Sequence, residues 1–267
     1  MVEFLLQRPE ILAVLDAIHV NNIVGISHDT LFPADAQQRR AIIEEGIAQL
    51  QAHHLLVLPE GETPILDRDL FATVSVVAFP DIAVMIVRNV EGAGPQLFLE
   101  YVSGDLVAEQ TFPEEGVHRL ALLGDVGTLI PRISMIIPRP ASGAESAPHV
   151  QLRVSQDAFF AADRLIEEGR RDQAHALLAR EVPEASALAE LMSALEHPKF
   201  RGNVAMLRCR DGEIVDARNA AIVQDEHVAW FIAQQTPGET RLTINTTTAS
   251  QIATRLSQWR DELSKIG

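Results

Sequence analysis

The sequence predicts an α+β protein built from two similar halves, and three observations carry that prediction. A nine-residue stretch occurs twice, as Ser27-His-Asp29-Thr-Leu-Phe32-Pro-Ala34-Asp35 and as Ser155-Gln-Asp157-Ala-Phe-Phe160-Ala-Ala162-Asp163, with Ser, Asp, Phe, Ala and Asp at identical spacing. Further echoes follow in the same order: Ile43 to Gly46 and Ile166 to Gly169, Ala52-His53 and Ala174-His175, and Leu70 to Pro80 with Leu188 to Pro198. Apolar runs rich in β-branched residues then group in fours in each half, which is the mark of an antiparallel meander. The expected halves span about 20–137 and 149–265, joined by the Pro/Gly/Ser-rich linker 138–148.

In chain order, Ile11, Leu12, Leu15 and Ile18 place a short amphipathic helix over 8–19, and Ile23–Ile26 reads as a strand. Asp35 with Gln38 has the form of a helix N-cap and its N3 partner, starting a helix to about residue 51. A second helix over 67–78 ends at Phe79-Pro80, because proline disfavours helical geometry in the residue before it. Four strands follow at 82–90, 96–102, 106–112 and 117–123, then a helix over 126–137. Val84 to Val87 is apolar at every position, as in a strand covered on both faces.

After the linker come a strand at 150–154 and a helix capped by Ser155. Helices near 171–181 and 184–196 follow, then strands at about 203–210, 213–223, 228–235 and 240–246. Asp211-Gly212 is a type I′ turn signal that sets Cys209 opposite Ile214. The last helix opens on the capping box Thr248 to Gln251 and buries Ile252, Leu256, Trp259 and Leu263.

Composition narrows the function classes. The formal charge of −15 and the lack of any basic cluster argue against nucleic-acid binding. With 47% apolar residues and no run near membrane-span length, the chain reads as globular, with no membrane insertion. No basic leader precedes the apolar residues at the start, and one cysteine allows no internal disulfide, so a cytoplasmic setting is expected. Nothing in the residues fixes an oligomeric state.

Catalytic chemistry finds no foothold, and a non-enzyme is expected. His53 and His54 are adjacent and point about 100° apart on a helix, so they cannot ligate one metal as an i, i+4 pair would. Asp225-Glu226-His227 reads as a hairpin turn, Cys209 as a packed small hydrophobe, and Asp67 with Asp69 as helix-start acids. No metal or cofactor is expected. An alternative is an anion or nucleotide site at Gly124-Asp125-Val126-Gly127-Thr128, between a strand and a helix. The full Walker pattern and its lysine are absent there, and an acid sits inside the loop.

The order of landmarks resembles one family. Strand, Ala-Asp and helix; a helix ending in proline; a meander; a Pro/Gly linker; then Val154-Ser-Gln-Asp157-Ala-Phe, Val182 to Leu191, Lys199-Phe-Arg201-Gly202 and Arg210-Asp211-Gly212 are similar to the EspG proteins, cytosolic chaperones of type VII (ESX) secretion. The resemblance covers nearly the whole chain. It implies a single domain with quasi-two-fold symmetry, a central antiparallel sheet and two helical bundles. It also implies a helical PE–PPE-like client, kept soluble by cover over its apolar tip. In that family the loop joining the first two strands of the N-terminal meander helps contact the client; here it is Glu91-Gly92-Ala93-Gly94-Pro95.

Overall fold

In the computed structural model, which describes residues 2–59, 64–90, 94–137, 149–236 and 238–265, the two meanders run into one another. Strands β4 (Ile82–Val90), β5 (Gln96–Ser103), β6 (Leu106–Thr111) and β7 (Val117–Asp125) form the first. The second comprises β9 (Phe200–Arg210), β10 (Glu213–Gln224), β11 (Ala229–Gln234) and β12 (Arg241–Thr247). Antiparallel pairing of β4 with β9, in which Ile86 faces Val204, fuses them. With β1 (Val2–Gln7) beside β7 and β8 (Gln151–Ser155) beside β12, the ten-stranded sheet runs β1-β7-β6-β5-β4-β9-β10-β11-β12-β8. This order is the same from either end: an edge strand, then a meander read from its last strand to its first. A separate two-stranded hairpin, β2 (Leu56–Val57) and β3 (Ile65–Leu66), stands apart.

Helices follow the same alternation. α1 (Arg8–Ala17), α2 (His28–Leu31), α3 (Ala36–Ala52) and α4 (Arg68–Ala78) precede the first meander. α6 (Gln156–Glu167), α7 (Arg171–Leu178) and α8 (Ala185–Glu196) precede the second. Alternation along the strands sorts the core into three clusters. Leu99, Tyr101, Leu207 and Cys209 pack under the first helical group. Val223, Trp230, Ile232 and Ile244 pack under the second. On the opposite face Val84, Ile86, Val204, Met206 and Ile222 pack under α5 (Leu129–Ile136) and α9 (Ala249–Lys265). The helices thus form two bundles on one face and a central pair on the other. Ile252, Leu256, Trp259 and Leu263 of α9 are all buried, each contributing about 1.5–3 kcal/mol by area removed from water.

Local chemistry explains the helix ends. The Asp35 side chain accepts from the Gln38 amide at 2.7 Å, and Asp67 accepts from Asp69 and Leu70 at 3.0 and 2.9 Å. α4 and α8 stop alike: Phe79 (φ −127, ψ 59) and His197 (φ −129, ψ 54) each donate an amide to a serine carbonyl four residues back, and Pro80 and Pro198 follow. The echo of Leu70–Pro80 in Leu188–Pro198 therefore falls on matching helices.

The nine-residue match does not. Ser27 precedes the four-residue α2 and Asp35 caps α3, whereas Ser155 caps α6 and Asp163 lies inside that helix, paired with Arg201. Ser and Asp recur at helix starts because their side chains satisfy free amides, so the shared letters report a shared local task and not a shared place. In strand order the counterpart of Ser155 is Gln7, which ends an edge strand and begins α1. The expected strand at Ile23–Ile26 is instead a turn: Gly25 sits at φ +88, and Tyr101 donates its hydroxyl to the Val24 carbonyl at 2.9 Å. Ile23 and Val24 are buried as loop, and the edge position beside β7 belongs to β1. The mirrored set of elements accordingly begins at residue 2 and not near residue 20. Linker 138–148 lies outside the described residues.

Candidate partner-binding face

The bundles leave the middle of their own face of the sheet uncovered. β4 presents Met85 and Val87 half-buried and Asn89 exposed; β9 presents Arg201 and Ala205 half-buried and Asn203 exposed; β10 adds exposed Asn219. The opposite side chains of the same strands, Val84, Ile86, Val204 and Met206, are shut under α5 and α9. A sheet centre dry on one face and open on the other forms a floor between two walls.

α6 supplies one wall. Arg201 pairs with Asp163 and lies 3.7 Å from Glu167, which pins that helix face against the floor. Phe160 lies three and seven residues before these acids and so shares their face. Its ring is stacked edge-on against buried Phe159 at 5.9 Å between centroids, yet the side chain remains 51% exposed. On the other side, a Cβ at Gly25 would meet the Leu99 and Met85 side chains at 2.9 and 3.4 Å, so the 20–27 turn closes over the floor's edge. The floor offers thioether, methyl and amide groups beside an aromatic ring and a braced arginine, a mixture suited to a protein surface.

Of the sequence-predicted loop, Glu91, Gly92 and Ala93 lie outside the described residues. Gly94 and Pro95 are exposed, and a Cβ at Gly94 would meet nothing within 4 Å. The loop's stem is anchored: Arg88 donates to Gln96 at 2.7 Å and to the Ile136 carbonyl at 2.9 Å, with its guanidinium 4.8 Å from the Phe98 ring centroid. β4 ends at Val90, one residue after Asn89, which is opposite Arg201, so Gly94 and Pro95 follow on from the end of the floor. Floor residues escaped the sequence reading because a half-exposed Met or Ala in a strand looks like any core residue; exposed Phe160, inside the repeated motif, was the available signal.

The other candidates resolve into structure. In Gly124–Thr128 the Asp125 carboxylate accepts from Gly127 N at 2.8 Å, and Thr128 Oγ1 donates to the Asp125 carbonyl at 2.7 Å, so an anion would face a carboxylate already holding the loop amide. Asp225 accepts from the His227 and Val228 amides at 2.7 and 2.8 Å, as a hairpin turn does. His53 Nδ1 lies 2.8 Å from Glu10 and ties α3 to α1, while His54 is exposed at φ 59. Cys209 is opposite Ile214 as expected, and burial pushes its thiol up to about 11, far from the thiolate a nucleophile needs. Among the described residues no group of three His, Cys, Asp or Glu side chains is placed to hold a metal, and no helix is long and apolar enough to cross a membrane.

Fold and face together describe an α+β protein with a large antiparallel sheet flanked by helices, opened at its centre. Among solved structures it is similar to that of the Mycobacterium tuberculosis type VII secretion system chaperone EspG5 in complex with a PE25–PPE41 dimer. The TM-score is 0.64 at 12% sequence identity, over 95% of this chain and 94% of that one. At that identity the likeness is one of fold. No protein-family profile matches the chain, and no curated protein matches it by sequence.

Proposed function

We propose that this chain is a non-enzymatic, cytoplasmic chaperone or adaptor, a distant relative of the EspG proteins, that holds a helical, aggregation-prone secretion substrate of the PE–PPE kind. The observation that carries the reading is the uncovered sheet centre with Phe160 on its wall. The fold likeness to a chaperone solved with a PE–PPE dimer supports it. A partly apolar floor walled by helices would accept the exposed tip of a helical pair, and the Gly94–Pro95 loop would close on it from the end of β4. The mirrored strand order supports a further part of this reading, that the domain arose by duplication of a five-strand unit.

The test is co-expression with a helical PE–PPE pair, followed by affinity capture. Phe160→Asp combined with Val87→Asp should leave the protein folded and weaken capture at least tenfold, the ~1.4 kcal/mol or more typical of a central aromatic contact. Phe71→Asp is the control, since Phe71 is exposed on α4. Equal capture by the folded double variant would rule out the floor as the binding site.

A further inference from the structure

A buried charge cluster lies on the other face of the sheet, under α5, where the proposed partner does not reach. Glu100 of β5 and Glu109 of β6 are direct cross-strand neighbours, and both side chains are fully buried. Glu109 is held by two arginines. Arg119 of β7 reaches its Oε1 at 2.7 Å, and Arg132 of α5 reaches its Oε2 at 2.5 Å. Arg119 continues to Glu3 of β1, through Nε at 2.8 Å and Nη2 at 2.6 Å.

Glu100 is the reverse. Neither of its oxygens receives a hydrogen bond from a donor among the described residues, and the nearest guanidinium nitrogen, Arg132 Nε, is 3.9 Å away. β4 places Val84 opposite it, then Ile86, then Arg88, which is committed to Gln96 and the Ile136 carbonyl. Phe98 and Val102 are its neighbours on its own strand. Two arginines already balance two carboxylates, Glu3 and Glu109, so an ionised Glu100 would be a surplus buried anion beside another. Two carboxylates in contact without a hydrogen between them repel, and with one they form a strong hydrogen bond.

We propose that Glu100 keeps a proton at neutral pH and shares it with Glu109, and that this acid–carboxylate pair, gripped by Arg132, is a pH-sensitive latch fastening α5 to the sheet. Burial first, and then the Glu109 charge, push the Glu100 carboxyl from its ordinary 4.5 up to about 9. Burial also pushes Glu109 upward, but hydrogen bonds from Arg132 and Glu100 outweigh it and hold that carboxyl low. Glu100's folded value is thus raised above its unfolded one. The stability tied to its proton is whole below about 4.5 and is lost as pH rises toward about 9. Above that range, an ionised Glu100 draws on Arg132 and loosens its hold on Glu109.

The experiment compares urea unfolding of the wild-type protein and Glu100→Gln at several pH values between 6 and 8. One proton released on unfolding makes the wild-type unfolding constant rise about tenfold more per pH unit than that of Glu100→Gln, which lacks the proton. Parallel slopes overturn the proposal. Infrared difference spectra at pH 7 provide a readout independent of the variant's folding: the wild-type protein shows the carbonyl stretch of a protonated, buried carboxylic acid, and its absence overturns the proposal. Amide exchange in α5, corrected for intrinsic pH dependence, accelerates from pH 7 to 10 in the wild type but not in Glu100→Gln; equal behaviour removes the latch role.

Discussion

Gly46→Ala sets local helix propensity against packing, and the structure decides the sign. Gly46 lies in the interior of α3, where alanine is worth about 1 kcal/mol more than glycine in a free helix. In place, the new Cβ would sit 1.9 Å from the Pro9 carbonyl oxygen and 3.0 Å from the Ala13 Cβ, where a comfortable carbon–oxygen contact is about 3.3 Å. α1 must therefore retreat by about 1.4 Å from α3. It has little freedom to do so. The Arg8 amide is bonded to the Gly116 carbonyl at 3.0 Å, and Glu10, at α1's start, holds the Gln7 amide at 2.7 Å and His53 of α3 at 2.8 Å.

Overpacking of this kind costs about 1–3 kcal/mol or more, and strained anchors put this site at or above the top of that range. After the propensity gain, a net loss of about 2 kcal/mol or more remains, or roughly 4–8 °C in midpoint for a chain of this size. Thermal unfolding followed by circular dichroism measures it, with Gly94→Ala as the control, because a Cβ there meets nothing within 4 Å. A Gly46→Ala protein as stable as wild type, or more so, would refute the close approach of α1 and α3.

Two further outcomes are expected. Trp259→Ala should cost about 3–5 kcal/mol in urea unfolding, because Trp259 is 7% exposed and its ring packs 5.7 Å from the Phe231 ring centroid. His118 is buried with Gln110 Nε2 2.8 Å from its Nδ1, and burial, then the Arg8 charge, lowers it from 6.5 to about 4. Its folded value is depressed, so the neutral ring's contribution is complete above pH 6.5 and fades as pH falls through about 4. The loss amounts to about 3 kcal/mol at most. Its ring resonances should keep the unprotonated shift down to pH 5, and titration near pH 6.5 would contradict this environment.

Much of the architecture follows from sequence because the deciding forces are local. The meander strands, the proline-terminated α4 and α8, the Asp35, Asp67 and Ser155 caps, the Asp211-Gly212 turn (φ 54 and 80) and the stripe of α9 each depend on side chains within a few residues of one another. Tertiary structure decided what depends on remote neighbours. β1 is a strand because the β7 edge pairs with it, while the equally apolar Ile23–Ile26 is held as a turn by Gly25 and the distant Tyr101 hydroxyl. Pairing of β4 with β9, which joins the meanders, depends on register between segments more than a hundred residues apart. The open floor, and the proton shared between Glu100 and Glu109, depend on which faces the helices cover. Burial is a property of the whole assembly: the same Met85 or Glu100 would be core, surface or acid according to what is laid over it, and no short window of sequence contains that information.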